Sequence, residues 1–290
     1  MRIADLPWYD LPELQAATDA WWRGIAAHLR DRGVDRVPDV LSRDGDHAAR
    51  WRHPDLLLSQ ACGYDVLYDA AAWIVPVATP CYRLGGACGP HYDSAVVVRA
   101  DAPWRRVGDL RGTRFVVNEA SSHSGTNAVR PLVARQSRAG RFFADVAATG
   151  SHTDSLSAVQ RGEADAACID RVVWTLLERV RPAALAGLRV IATTARAWAP
   201  PYVTSRRTEP ALRAALAAAL VAAAGDPALA APRAALCLEG FTVLPDDAYR
   251  DLAQFERPAL AAAYFELPAP DASPLSRACG RGRGGGAASV

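Results

Sequence analysis

The sequence predicts an α/β protein folded as two lobes, with mainly parallel strands, and three observations carry that expectation. Short apolar, β-branched runs alternate with longer segments rich in Ala, Leu and Arg at helical spacing. The chain has 290 residues, 50% of them hydrophobic, which is enough for one large or two medium cores. The block from about 100 to 200 has its own strand-helix alternation, as an inserted lobe would.

The elements follow from local patterns. Strands are expected at 3–6, 56–59, 73–79, 94–99, 114–118, 145–149, 166–170, 189–193 and 202–205, each of a length suited to a buried strand. A helix is expected over 11–31, where Leu14, Ala17, Trp21, Ile25 and Leu29 form one stripe and Gly33 follows as a stop. A second covers 156–161, opened by Thr153-Asp154-Ser155 and ended by Gly162, and a third covers 210–224, with Pro210 in its first turn and Gly225 after its end. Shorter helices should bracket a break at 240–245 within 227–263. From Pro268 onward the composition turns to Pro, Gly, Ser and Arg, so 271–290 reads as a disordered tail. The expected division is 1–99 with 200–270 as the first lobe and 100–199 as the second, with crossings near 98–101 and 199–205. A cleft between lobes is the default site.

Composition excludes several functions. The 33 basic residues, all Arg, nearly balance 31 acidic ones, so no basic field gathers nucleic acid. The longest apolar run, 214–224, is about half of what crosses a bilayer, so no membrane span is expected. Six scattered cysteines without a Cys-x-x-Cys and without paired His at metal spacing argue against zinc. Cys81 and Cys88 bracket a Gly-rich loop, and whether they pair depends on the compartment. The opening Met1-Arg2-Ile3-Ala4-Asp5-Leu6-Pro7 has none of the features of a secretory signal. The expectation is therefore a cytoplasmic chain as written, or an extracytoplasmic one whose signal has been removed.

Two segments carry the chemistry. In Phe115-Val116-Val117-Asn118-Glu119-Ala120-Ser121-Ser122-His123-Ser124-Gly125-Thr126-Asn127, a buried strand runs into a hydroxyl-rich turn and then a helix with Pro131 near its start. Such a loop offers backbone N–H groups and the positive end of a helix dipole to an oxyanion, and Ser121, Ser122, Ser124 and Thr126 add donors. Plain capping explains one of these hydroxyls but not four. The second segment, Thr149-Gly150-Ser151-His152-Thr153-Asp154-Ser155, leads through a helix to Ala166-Ala167-Cys168-Ile169-Asp170. It places His152 and Asp170 at the ends of neighbouring strands, where open α/β sheets bind ligands.

With Gly150-Ser151-His152 leading into Val159-Gln160-Arg161-Gly162-Glu163-Ala164-Asp165-Ala166-Ala167-Cys168-Ile169-Asp170, and Ser121-Ser122-His123-Ser124-Gly125 upstream, the chain resembles the phosphate/phosphite/phosphonate substrate-binding proteins of ABC transporters over about residues 1 to 265. The resemblance implies the type II periplasmic-binding-protein fold, two α/β lobes joined by two crossing strands that close on a small ligand. It also implies that Ser121, Ser122 and Ser124 cradle the oxyanion while His152 and Asp170 face it, with Tyr64, Tyr92 and, less directly, Tyr9 contributing from the first lobe. His123 interrupts the serine run, and Gln60-Ala61-Cys62-Gly63 replaces the family's usual Gly-Pro before the tyrosine.

The leading expectation is a solute-binding protein that captures a phosphonate, phosphite or phosphate-like oxyanion for an ABC permease, as a monomer, with no cofactor, metal or chemical turnover. The alternatives are a cytoplasmic enzyme on the same fold, similar to chorismate dehydratase, and a metabolite sensor. The enzyme would use His152, His123, Asp170 and Glu119 for acid-base work, with Cys62 read as packing. Trp198 stands directly before the return crossing, where it lines the cleft or braces the hinge.

Overall fold

In the computed structural model the described residues are 2–267, so the tail expected at 271–290 lies outside them. The strands are β1 (Ile3–Ala4), β2 (Leu56–Gln60), β3 (Ile74–Leu84), β4 (Ala87–Gly89), β5 (His91–Tyr92), β6 (Ser94–Arg99), β7 (Arg114–Val117), β8 (Asp145–Ala148), β9 (Ala166–Asp170), β10 (Leu188–Thr193), β11 (Ala197–Trp198), β12 (Tyr202–Ser205) and β13 (Leu238–Thr242). The helices are α1 (Gln15–Asp31), α2 (His47–Trp51), α3 (Gly63–Leu67), α4 (Arg130–Ala134), α5 (His152–Gln160), α6 (Arg171–Val180), α7 (Pro210–Gly225), α8 (Ala230–Ala235) and α9 (Arg257–Ala261). Every expected strand is present, and the break expected at 240–245 begins inside β13 instead.

One sheet has the order β1-β2-β12-β3-β13, with β4 paired to β3, and the other has the order β10-β6-β9-β7-β8. The expectation of mainly parallel strands is corrected here. Among the described residues only β1 with β2, β7 with β8 and β7 with β9 run parallel. The strand that returns from the second lobe, β12, slots between β2 and β3 antiparallel to both, and β6 enters the second sheet antiparallel to β9. A chain that crosses between sheets and comes back has to reverse, which local patterns of β-branched residues do not record.

The passage between the lobes is a short ribbon in which β5 pairs with β11, Tyr92 opposite Ala197 and His91 opposite Trp198. It lies earlier than the expected crossing at 98–101, because β6 already belongs to the second sheet. Trp198 braces it, stacked on His91 with ring centroids 4.0 Å apart.

The second sheet shows why its strands are apolar throughout. Side chains alternate faces along a strand. Val96 and Val98 of β6, Phe115 and Val117 of β7, and Ala166 and Cys168 of β9 pack on one face. Ala95 and Val97, Val116, and Ala167 and Ile169 pack on the other. The first sheet buries its strands with the Trp21, Trp22, Ile25 and Leu29 stripe of α1 and the inner face of α7.

Two packing facts redraw the division between lobes. Ala259, Tyr264 and Leu267 join Phe142, Phe143 and Val129, so residues 259–267, expected in the first lobe, pack on the second. Val172 and Leu176 of α6 join the core of the first lobe while Trp174 and Leu177 of the same helix pack on the second. Among the described residues, Cys62, Cys81, Cys88, Cys168 and Cys237 are free thiols. No single helix there is long and apolar enough to cross a membrane.

Candidate functional site

The three mutually parallel strands β8, β7 and β9 end on the same side of their sheet, and each end delivers part of one site. After β7 the chain turns through Asn118 to a single turn of π-type backbone at His123–Asn127, with Ser122 as its cap, its Oγ accepting from Gly125 N at 3.1 Å. The turn is tight because Gly125 lies against the side chain of Asn118, which a Cβ would overlap. After β8, Ser151 caps α5 by accepting from Asp154 N at 3.0 Å, so His152 is the first residue of that helix. After β9, Asp170 caps α6, its Oδ1 accepting from Val172 N at 2.7 Å and Val173 N at 3.3 Å.

These ends line one wall of a cavity of about 280 Å³ with Asn118, Ser121, Ser122, Ser124, Ser151, His152, Thr153 and Asp170. Its first-lobe wall holds Trp8, Tyr9, His47, Cys62, Asp65 and Tyr92. Of the residues expected at the ligand, Ser121, Ser122, Ser124, His152, Asp170, Tyr92 and Tyr9 are brought together here. Thr126 and Tyr64 are not, and both expectations are corrected. Thr126 is fully buried and donates to Glu119 O at 2.6 Å, closing the turn from inside. Tyr64 turns away to donate to Glu256, and Arg130 donates to its hydroxyl at 3.4 Å.

At the centre, Ser124 Oγ lies 2.9 Å from His152 Nε2 and 3.4 Å from Ser122 Oγ. Burial pushes His152 down to about 4, so the ring is neutral near pH 7 and its pairing with Ser124 involves no charge. Burial is also the largest influence on Asp170, which it pushes up to about 7, against the lowering effect of the Tyr9 hydroxyl (3.0 Å to Oδ2) and the two α6 amides. Tyr9 is held at φ 68, a left-handed conformation costing about 1–3 kcal/mol that persists only where the surroundings enforce it. Two buried polar atoms of the lining, Asn118 Oδ1 and His152 Nδ1, have no partner among the described residues.

Among the described residues the lining contains neither Arg nor Lys. The groups that an anion would meet here are hydroxyls and the positive end of α5, whose first residues border the cavity. Asp10 is already held by Arg43 (Nε to Oδ2 at 2.6 Å), and Asp65 accepts from Cys62 N at 3.1 Å. His123, a candidate acid-base group, faces away into a nest of Tyr64, Tyr92 and Phe255, where burial pushes it down to about 3. Glu119 sits exposed at the rim. Cys62, read as packing, borders the cavity, with its thiol pushed up to about 12 by burial and accepting from His123 N at 3.4 Å.

Sequence reasoning missed Trp8, His47, Asp65, Asn118, Ser151 and Thr153. Ser151 and Thr153 stood in the strand-turn-helix segment that flagged His152, and the signal for Trp8 was an aromatic pair directly after the first strand. His47 and Asp65 left no signal, since both reach the cavity through tertiary packing.

The fold recurs in solved structures. A binding-protein component of an ABC phosphonate transporter from Pseudomonas aeruginosa aligns at TM-score 0.71 and 16% identity, over 90% of this chain and 88% of that one. A Prochlorococcus marinus protein in complex with methylphosphonate aligns at TM-score 0.69 and 15% identity, over 89% and 97%. A Xanthomonas citri protein bound to ATP aligns at TM-score 0.66 and 18% identity, over 90% and 98%. No curated protein matches the sequence. The family profile described as "ABC transporter, phosphonate, periplasmic substrate-binding protein" matches residues 53–249, more than half of the sequence, and the chain belongs to that family.

Proposed function

We propose that the protein captures a phosphonate or a related phosphorus oxyanion between its lobes and presents it to an ABC permease, acting as a monomer outside the cytoplasm. The observation that carries this reading is the convergence of Ser122, Ser124 and His152, from the ends of two adjacent parallel strands, on one cavity, with Ser124 Oγ 2.9 Å from His152 Nε2. Neutral donors held in place by a cap and a neutral imidazole suit the binding of an oxyanion without chemistry. Two features support binding over turnover. A histidine pushed down to about 4 is a weak base at neutral pH, and among the described residues its Nδ1 has no carboxylate or carbonyl to orient it.

The phosphonate family and the methylphosphonate complex of a structural relative support the choice of ligand. Calorimetric titration of the purified protein with methylphosphonate, phosphate, phosphite and sulfate tests it. Saturable binding of one or more phosphorus oxyanions is expected. Absence of binding by all of them, to protein that melts cooperatively, overturns the reading.

A further inference from the structure

The oxyanion accounts for only part of the cavity. Five heavy atoms displace about two or three waters, or about 60–90 Å³ at about 30 Å³ each, within a space of about 280 Å³. The remainder faces the first lobe, and its character differs sharply from the serine wall. Trp8 and His47 border the cavity from the first lobe, and Pro7, Leu11 and Pro200 are also in its lining.

The aromatic part of that wall is braced from behind. Trp8 stacks on Trp51 at 5.9 Å between ring centroids and 27° between planes, and His47 meets Trp8 edge-on at 5.3 Å and Trp51 at 4.9 Å. Trp51 is itself buried, and its indole N–H donates to Ser59 Oγ and Gln60 O, both at 3.2 Å. Next along the chain, Tyr9 stays in its left-handed conformation while donating to Asp170 across the cleft. A loop that carries this strain and stacks a half-buried indole at a cavity wall is shaped for a ligand group.

Charge narrows the class of group. Asp10, the carboxylate nearest this wall in sequence, is held by the Arg43 guanidinium through both oxygens, at 2.6 and 3.3 Å, and Arg43 is anchored a second time by Asp19 at 2.8 Å. Asp65, the other carboxylate of that wall, accepts from Cys62 N at 3.1 Å, so with Asp10 paired and neither Arg nor Lys among the described lining residues the wall offers chiefly apolar and aromatic surface.

We propose that the ligand is an oxyanion bearing an uncharged aromatic group, an arylphosphonate or an aryl phosphate ester, with its ring against Trp8 and His47 and its oxygens at the serine wall. This rests on the reading of the cleft as a phosphorus-oxyanion site. The two ligand sources share the ring and the tetrahedral anion and differ in whether the ring is bonded directly to phosphorus or through an ester oxygen.

The test is a calorimetric comparison of wild-type protein with methylphosphonate, aminoethylphosphonate, phenylphosphonate and phenyl phosphate. Phenylphosphonate or phenyl phosphate is expected to bind at least tenfold tighter than methylphosphonate, and the tighter of the two tells a direct carbon–phosphorus link from an ester oxygen. In Trp8→Ala that ratio is expected to fall to about threefold or less. The wild-type comparison decides the matter even if the variant fails to fold. Methylphosphonate or aminoethylphosphonate binding as tightly as the aryl ligands overturns this inference alone, because the oxyanion site then stands without an aromatic partner. No binding by any of the four to folded protein overturns the oxyanion reading beneath it.

Discussion

The Ser124 hydroxyl already has polar neighbours in His152 Nε2 at 2.9 Å, Ser122 Oγ at 3.4 Å and the Tyr92 hydroxyl, and an anion in the cavity would add another. If the neutral imidazole donates from Nε2 to Ser124 Oγ, the serine proton is left to donate to the anion, which is the arrangement that makes His152 useful without a charge. Removing the hydroxyl then costs a hydrogen bond to a charged group, about 1.5–3 kcal/mol, so Ser124→Ala should weaken methylphosphonate binding by about 10- to 150-fold in a calorimetric titration while shifting Tm little.

Asp170 makes a different prediction. Its carboxyl is held up at about 7 against an ordinary 3.8, so between those values the folded protein keeps a proton that the unfolded chain releases. The stability this provides is complete below about pH 3.8 and is lost as pH rises through about 7. The neutral Asp170→Asn keeps the acceptor for the α6 amides and has nothing to ionise. Its melting temperature should therefore gain on wild type from pH 5 to pH 8. A constant difference across that range would show that Asp170 ionises in the fold as readily as in water.

At the scale of elements, the turn between β7 and α4 depends on close approach as much as on hydrogen bonds. Gly125 donates to Ser122 and lies against Asn118, so Gly125→Ala must push the turn away from β7 and move Ser122 and Ser124 together. Binding should be lost by more than in Ser124→Ala, with a drop in stability that the serine variant does not show, both readable by titration and thermal melting. This turn was legible in the sequence as a candidate site because a strand, four hydroxyls and a helix-starting proline stand in line. That Thr126 faces inward and Ser124 outward was not legible, since it follows from π-type backbone spacing that composition does not specify. Likewise the α1 stripe and the nine expected strands could be read from periodicity, whereas β4, β5 and β11 are too short to show one. Tyr64 was lost for a tertiary reason: Glu256, 192 positions away in the chain, draws its hydroxyl from the cleft.

For the whole molecule, the lobes meet through contacts that no local window contains. Tyr9 donates to Asp170, His123 N donates to the Cys62 thiol, Arg181 pairs with Glu13 through two bonds at 2.6 and 2.8 Å, and α6 contributes to both cores. His123 and His152 both lie in this interface and are held neutral, at about 3 and about 4 against an ordinary 6.5. Here the unfolded chain binds the extra protons, so the stability they contribute is present above about pH 6.5 and lost as pH falls toward 4 and 3. Two histidines outweigh the single opposing proton of Asp170 in the range 4–6.5. Denaturant melts should show stability falling as pH drops from 6.5 to 4.5, and His123→Asn, which removes one titrating ring, should flatten that limb.

If serines at the ends of two parallel strands hold a phosphorus oxyanion, a thermal melt with methylphosphonate at about 100 times its Kd separates wild type from Ser122→Ala/Ser124→Ala. Binding at that excess adds about 2.7 kcal/mol, which for a chain of this size raises Tm by about 5–10 °C. That rise is expected in wild type and not in the double variant at the same ligand concentration. An equal rise in both, or none in either, would contradict it.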